Sequence, residues 1–456
     1  MTRFEEWLSA GREVSVAGLA LSGTAAARLL VSRGVHVYVS DRGDTAPVRA
    51  AASALRDQLG AMVFIDTGGH DLQRIARSAA LVLSPGIPPD APVVVAATVG
   101  GVPVLAEAQL GLDAMPGVVA IVVTGTNGKT TTTALTDHLL RAGGRRSVAA
   151  GNIGHPLSTV ALTQPWPEWL AIELSSFQLH DCPDLAPRVG VLTNLAPDHL
   201  DRYPTLEAYY ADKARLFANA SVDSVWVSNL DDPDSRRMVA DVPGRHLKFS
   251  VRAGTTADAW YDRSGDQLML AGRPLLARCA LPLLGDHNVA NALAAALAVH
   301  ATGVELAAIA EGLASFQALR HRMEAVREVD GVLWINDSKA TNVASTRVAV
   351  EAMDRPFVLL LGGRHKGQPY TDLVGPLCRH GVAVIAYGEA GDLIERDLSP
   401  SLRVVRGSTF EDVLAKARLL APAGGAVLLS PACSSYDMFD NYEQRGATFR
   451  ALVEEM

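Results

Sequence analysis

No disulfide frame or zinc site is suggested by this chain. Its four cysteines (Cys182, Cys279, Cys378, Cys433) are scattered without CxxC spacing and fit reduced thiols. A basic excess is missing too. The net charge of -8 argues against a nucleic-acid binder, which would show a basic face. No run approaches the roughly 18 uncharged apolar residues of a membrane span, so no membrane insertion is expected. The opening stretch MTRFEEWLSAGREV carries acids where a signal peptide needs an apolar core. Solenoid repeats and low-complexity tracts are also missing. What remains is a globular composition, 48% hydrophobic and 20% charged, and a cytoplasmic protein is expected. At 456 residues the chain is too long for one core and suits about three domains.

Against that background Ile121–Leu140, IVVTGTNGKTTTTALTDHLL, stands out. An apolar β-branched run ends in Gly125, Thr126, Asn127, Gly128, Lys129, Thr130 and Thr131, and a helix-compatible segment follows. Glycines let backbone N–H groups close around phosphate oxygens, and a helix N-terminus adds partial positive charge. Lys129 can neutralise outer phosphates, and the Thr130 hydroxyl can ligate Mg²⁺. ATP is therefore the expected co-substrate. The loop is a short TGTNGKT form, with Val123 where the general pattern has its first glycine.

The chain reads as an α/β protein of three domains. Residues 1–115 open with VSVAGLALSG and VHVYVSD, a Rossmann-like βαβ start with alanine at the middle glycine position. Residues 116–318 form a central P-loop ATPase-type domain. Strand-like WLAIELSS and VGVLTNL are followed there by a predicted helix Thr205–Asn219 and an alanine-rich helix Asn288–Gly303. Residues 319–456 contain VLWINDS, FVLLLGG, VAVIAYG and AVLLSPA, a second Rossmann-like unit. Alternating strands and helices imply mostly parallel sheets.

Chemistry concentrates at strand ends. Glu173 closes an apolar strand where α/β ligands bind, and can share a Mg²⁺ with Thr130. The alternative is an ordinary strand-end glutamate. Asn194–Arg202 gathers His199, two acids and an arginine on one edge loop, and His199 can ligate a second metal. Lys213, on the helix YYADKARLF, reads from the residues alone as a solvated helix lysine. The loops after Asp337, Gly362 and Ser430 are polar and ligand-capable.

The motifs TGTNGKTT, GNIG, ELSSFQL, TNLAPDHLDRY, GDHNVANALAA, NDSKATN, LLLGG and SPACSSYDMF with YEQRG resemble, in that order, those of the Mur ligase family. The last three are similar to its D-glutamate-adding branch, and no DNPR-type motif of the diaminopimelate-adding branch is present. The resemblance implies an ATP-dependent, monomeric ligase that phosphorylates the carboxylate of UDP-N-acetylmuramoyl-L-alanine and joins it to D-glutamate, with two Mg²⁺ ions. It implies that Thr130 and Glu173 bind one ion, that His199 and Lys213 belong to the second, and that Lys213 is carbamylated. Asn152, Ser175 and His199 match positions near the UDP substrate, with Leu21, Ser22, Ser84 and Gly86 on its uridine end. Asn288, Asn291, Arg322 and Asp337 match the nucleotide pocket. Lys339, Thr341, Lys366, Ser435 and Tyr436 match the D-glutamate end. The family's threonine–arginine pair after the first domain's aspartate is replaced by Arg42-Gly43 after Asp41. Other readings are a nicotinamide or flavin oxidoreductase (GLALSG and Asp41), a folylpolyglutamate synthase-like ligase and a non-catalytic nucleotide module.

Overall fold

The computed structural model describes residues 2–199, 202–252 and 256–456. Runs of β-branched and aliphatic residues make the central strands because such side chains fill both faces of a covered parallel sheet. In Val119–Thr124 every residue after the first is buried.

Two compact units are present. The first, residues 1–278 and 290–313, holds two sheets. Its five-stranded sheet is parallel throughout, in the order Val63–Thr67, Val37–Asp41, Val14–Ala17, Leu81–Leu83, Val104–Ala106. Its nine-stranded sheet begins with a meander, Arg273–Ala277, Gln267–Leu270 and Ala259–Asp262, whose pairings are antiparallel. It then runs in parallel through Arg245–Ser250, Val225–Asn229, Val189–Leu192, Val119–Thr124, Trp169–Glu173 and Ser147–Gly151. One hydrophobic cluster joins the two sheets, with Val16 and Leu110 from one side and Leu157 and Ile172 from the other. Buried Glu107 accepts the Ser158 N–H at 2.5 Å. Arg3 pairs with both Asp113 and Asp184.

The second unit, residues 279–289 and 314–456, is built on a six-stranded sheet. Its order is Glu324–Val329, Val332–Asn336, Ala426–Leu429, Phe357–Gly362, Gly381–Tyr387, Val404–Arg406, and only the first pair is antiparallel. The α/β architecture with three mostly parallel sheets matches the expectation. The meander at 259–277 was not foreseen. The helix expected over Thr205–Asn219 is shorter: Leu206–Ala214, then a 3₁₀ turn Arg215–Phe217. Among the described residues no helix is long and apolar enough to cross a membrane.

Candidate active site

Register brings three strand ends of the nine-stranded sheet together. Val123 pairs with Glu173 and Thr124 with Leu192, so the loops after all three strands leave from one edge. The phosphate loop lies between Thr124 and the helix Lys129–Ala142. Gly125 (φ 142°) and Gly128 (φ 81°) occupy backbone conformations that side chains resist. Each is also tightly approached: a Cβ would stand 2.0 Å from Thr193 Oγ1 at Gly125 and 2.2 Å from Asn291 Oδ1 at Gly128. The neighbouring loop pins the phosphate loop. Thr126 N donates to Asn194 O at 2.8 Å, Asn127 N to Asn194 Oδ1 at 3.0 Å, and Thr193 Oγ1 to Asn127 O at 2.6 Å. Lys129 Nζ folds back onto the carbonyls of Gly125 (2.9 Å) and Thr126 (2.7 Å). Thr130 and Thr131 follow in the first helical turn, and Thr132 donates to Asn291 Oδ1 at 3.2 Å.

Lys213 overturns its reading as a solvated helix lysine. It is 1% exposed. Its Nζ donates to Gly125 O at 2.8 Å and lies 4.7 Å from the Tyr209 ring centroid. Burial, then the nearby Lys129 charge, holds the amine well below the usual lysine range. The helix turns this residue onto the phosphate loop, a long-range contact that helix periodicity does not report.

Glu173 is 2% exposed. Oε1 accepts from Asn152 Nδ2 at 2.9 Å, and Oε2 is buried without a partner among the described residues. Ser175 opens the next short helix with a reciprocal cap to Gln178. His199 adopts a left-handed backbone (φ 55°), and its ring meets Phe177 at 5.2 Å and Tyr209 at 6.1 Å. Asp201, one of the two acids expected on this loop, lies outside the described residues. Among the described residues, no three His, Cys, Asp or Glu side chains cluster closely enough to hold a metal. A cation at this edge would draw on the Thr130 hydroxyl, the unpartnered Glu173 oxygen and ligand phosphates. That oxygen fits such a group, because a buried, unsatisfied carboxylate oxygen is costly without a donor or cation.

On the five-stranded sheet, Leu21 and Ser22 start the helix Leu21–Ser32, and Leu21 is 77% exposed. Asp41 caps the turn by accepting from Leu19 N at 2.8 Å and Gly43 N at 2.7 Å. Ser84 Oγ is buried without a partner among the described residues. Gly86 O accepts from Arg202 Nη2 at 2.7 Å, which ties this turn to the His199 loop.

In the second unit, Lys366 Nζ donates to Thr341 Oγ1 at 3.3 Å, so two of the expected glutamate residues meet. Lys339 Nζ lies 5.1 Å from the Tyr442 ring centroid. Ser435 is buried, whereas Tyr436 is exposed. Asp337 accepts from Ser430 Oγ at 2.8 Å and Met323 N at 3.2 Å, and burial pushes its carboxyl up to about 7. Asn288 Nδ2 donates to Leu284 O at 2.8 Å, and Arg322 N to Leu319 O at 3.2 Å. Sequence reasoning missed Arg445, which is fully buried. It donates to Ser338 Oγ (2.9 Å), Ser338 O (2.8 Å) and Cys433 O (3.2 Å), and so joins the Lys339 and Ser435 loops. Its signal was the YEQRG run itself.

Comparison with known proteins bears on this arrangement. Family models match three stretches: Mur ligase MurD-like N-terminal domain at 12–106, Mur ligase middle domain at 123–299, and Mur ligase glutamate ligase domain at 321–433. A UDP-N-acetylmuramoylalanine–D-glutamate ligase of Salinibacter ruber is 41% identical over 456 residues, 97% of each chain. One of Anaeromyxobacter dehalogenans is 40% identical over 465 residues, 98% of each chain. The fold is shared with a UDP-N-acetylmuramate-alanine ligase from Thermotoga maritima (TM-score 0.61, 18% identity, covering 97% of this chain and 99% of that one).

Proposed function

The chain belongs to the Mur ligase family, and we propose that it joins D-glutamate to UDP-N-acetylmuramoyl-L-alanine at the expense of ATP, in cytoplasmic peptidoglycan precursor synthesis. The observation that carries this reading is the match to D-glutamate-adding relatives along 97% of the chain. It is supported by a phosphate loop, a buried carboxylate and a buried lysine at one sheet edge.

The division of labour follows the three sheets. Residues 1–115 take the UDP end, with Leu21, Ser22, Ser84 and Gly86. Residues 116–318 take ATP on Gly125–Thr131 and Asn291, with Asn152, Ser175 and His199 toward the muramoyl end. Residues 319–456 take D-glutamate on Lys339, Thr341, Lys366, Ser435 and Tyr436, and Asn288, Arg322 and Asp337 contribute to the nucleotide pocket.

The reaction begins with attack of the substrate carboxylate on the γ-phosphorus, giving an acyl phosphate and ADP. The D-glutamate amine then adds to the acyl carbon, and a tetrahedral intermediate expels phosphate. The first step brings like charges together, so catalysis rests on positioning and charge compensation. Backbone N–H groups of Gly125–Lys129 and the Lys129 ammonium would receive the phosphates. Thr130 and Glu173 would hold one Mg²⁺, and His199 and Lys213 a second. Bound cations would offset the charge gathered on the transferred phosphoryl group. The lowered basicity of Lys213 suits an amine that adds CO₂ to become a carbamate, an anionic oxygen ligand in place of an ammonium.

Phosphate release should require Mg-ATP, UDP-N-acetylmuramoyl-L-alanine and D-glutamate together. Equal release with L-alanine or meso-diaminopimelate in place of D-glutamate, or with no amino acid, would overturn this reading.

A further inference from the structure

One carboxylate beside the site is bonded to more than its own helix. Asp212 precedes Lys213 on the helix Leu206–Ala214, and its side chain is 14% exposed. Oδ1 accepts from His180 Nδ1 at 2.7 Å and Oδ2 from Tyr203 OH at 2.9 Å. His180 ends the short helix that follows Glu173 and Ser175. Tyr203 closes the His199 loop, its N–H donating to His199 O at 3.0 Å. Arg215, which caps the C-terminus of that helix, adds a looser contact at 3.3 Å.

We propose that Asp212 is a positioning residue that locks the Glu173, His199 and Lys213 segments into one cation-binding arrangement. The inference rests on the cation assignment of the preceding subsection. Two mechanical links carry it. Successive residues of a helix are about 100° apart, so fixing the Asp212 side chain against two other segments fixes the direction in which Lys213 leaves the helix. That direction puts Nζ on Gly125 O. Second, the Tyr203 ring held by Asp212 stacks on Phe177 (5.2 Å, 11°), and the His199 ring packs edge-on against the same Phe177 (5.2 Å). Loss of the carboxylate frees the Tyr203–Phe177 stack and, with it, the His199 imidazole. Partners that orient ligands in this way typically change metal affinity 10–100-fold.

The test is Mn²⁺ binding, read by electron paramagnetic resonance, to protein holding a non-hydrolysable ATP analogue and UDP-N-acetylmuramoyl-L-alanine. Asp212→Ala should weaken the His199–Lys213 cation site about ten- to a hundredfold. The Mg²⁺ concentration for half-maximal rate should rise in step. Tyr203→Phe keeps the stacked ring and deletes one hydroxyl, and should weaken Mn²⁺ in the same direction without unfolding the protein. Asp212→Asn, whose amide can accept from Tyr203 and donate to His180, should stay within about threefold of the parent. Parent-like Mn²⁺ affinity in both Asp212→Ala and Tyr203→Phe, with only a lower melting temperature, would make Asp212 a stability contact and overturn the proposal. His199→Ala and Lys213→Ala separate the two levels. If these lose Mn²⁺ while Asp212→Ala does not, the inference alone fails. If they too bind as the parent does, the cation assignment fails and the inference falls with it.

Discussion

A lysine amine with almost no access to water, an ammonium neighbour and a carbonyl as its hydrogen-bond acceptor is held toward its neutral form. Lys213→Ala should therefore cost at least about a hundredfold in kcat, the scale of losing one electrostatic stabiliser. On the proposed carbamate reading, small carboxylates should restore part of the rate by supplying the oxygen ligand that the variant lacks. Full activity without any additive would return Lys213 to a structural role. Asp337 has the opposite chemistry. Its carboxyl is raised from 3.8 to about 7, chiefly by burial, with Ser430, Met323 N–H and the charges of Arg322 and Arg445 pulling it back. A carboxyl raised on folding binds a proton more tightly in the native state. Its favourable contribution is complete below about pH 4 and is lost as pH rises toward 7, where the buried group must ionise. Asp337→Asn removes that ionisation and keeps an acceptor for Met323 N. Between pH 4 and 8 the variant should lose less thermal stability than the parent, by on the order of 2–4 kcal/mol at the upper end. Parallel melting curves across this range would show that Asp337 does not titrate there.

Elements were legible where a single stretch of chain decides them. Val119–Thr124, Phe357–Gly362 and Ala426–Leu429 are covered on both faces, so unbroken apolar runs mark them. The Ala259–Ala277 meander was not read, because its strands have four or five residues of mixed character and are stabilised mainly by pairing with each other. The phosphate loop was readable from its glycines, yet the reason those glycines are needed is supplied by other segments. Thr193 and Asn291 leave no room for a Cβ. Gly125→Ala meets both the clash with Thr193 Oγ1 and a backbone angle that costs about 1–3 kcal/mol for an L side chain. If that cost falls on the nucleotide-binding conformation, Mg-ATP affinity should drop roughly ten- to a hundredfold, measurable by equilibrium titration. The second unit has its own core and should melt as in the parent. Unchanged ATP affinity would mean that the loop relaxes around the methyl group.

At the scale of the whole molecule, the units carry different substrates in the proposed scheme. The two sheets of the first unit share one core. Their strand ends hold the residues assigned to the UDP substrate and most of those assigned to the phosphates. The second unit has separate clusters around its own sheet. The candidate glutamate residues came from the resemblance of NDSKATN, LLLGG and SPACSSYDMF to family motifs, and the residues alone showed only polar loops at three strand ends. Arg445 and Asp212, which tie such loops together, were not found, because their partners lie up to about a hundred residues away in the chain. Lys366 tests the division directly. Its ammonium reaches Thr341 Oγ1 at 3.3 Å from an exposed loop, and neither residue belongs to the first unit. A lysine hydrogen-bonded to a carboxylate contributes about 1.5–3 kcal/mol, which corresponds to roughly ten- to a hundredfold in affinity. Lys366→Ala should raise KM for D-glutamate by that factor while leaving KM for ATP within about twofold. Calorimetric affinity for UDP-N-acetylmuramoyl-L-alanine should not change, because its assigned contacts lie on the first unit. If the variant lost the uridine substrate and kept its D-glutamate KM, the amino acid would not bind at Lys366 and the assignment of substrates to units would be wrong.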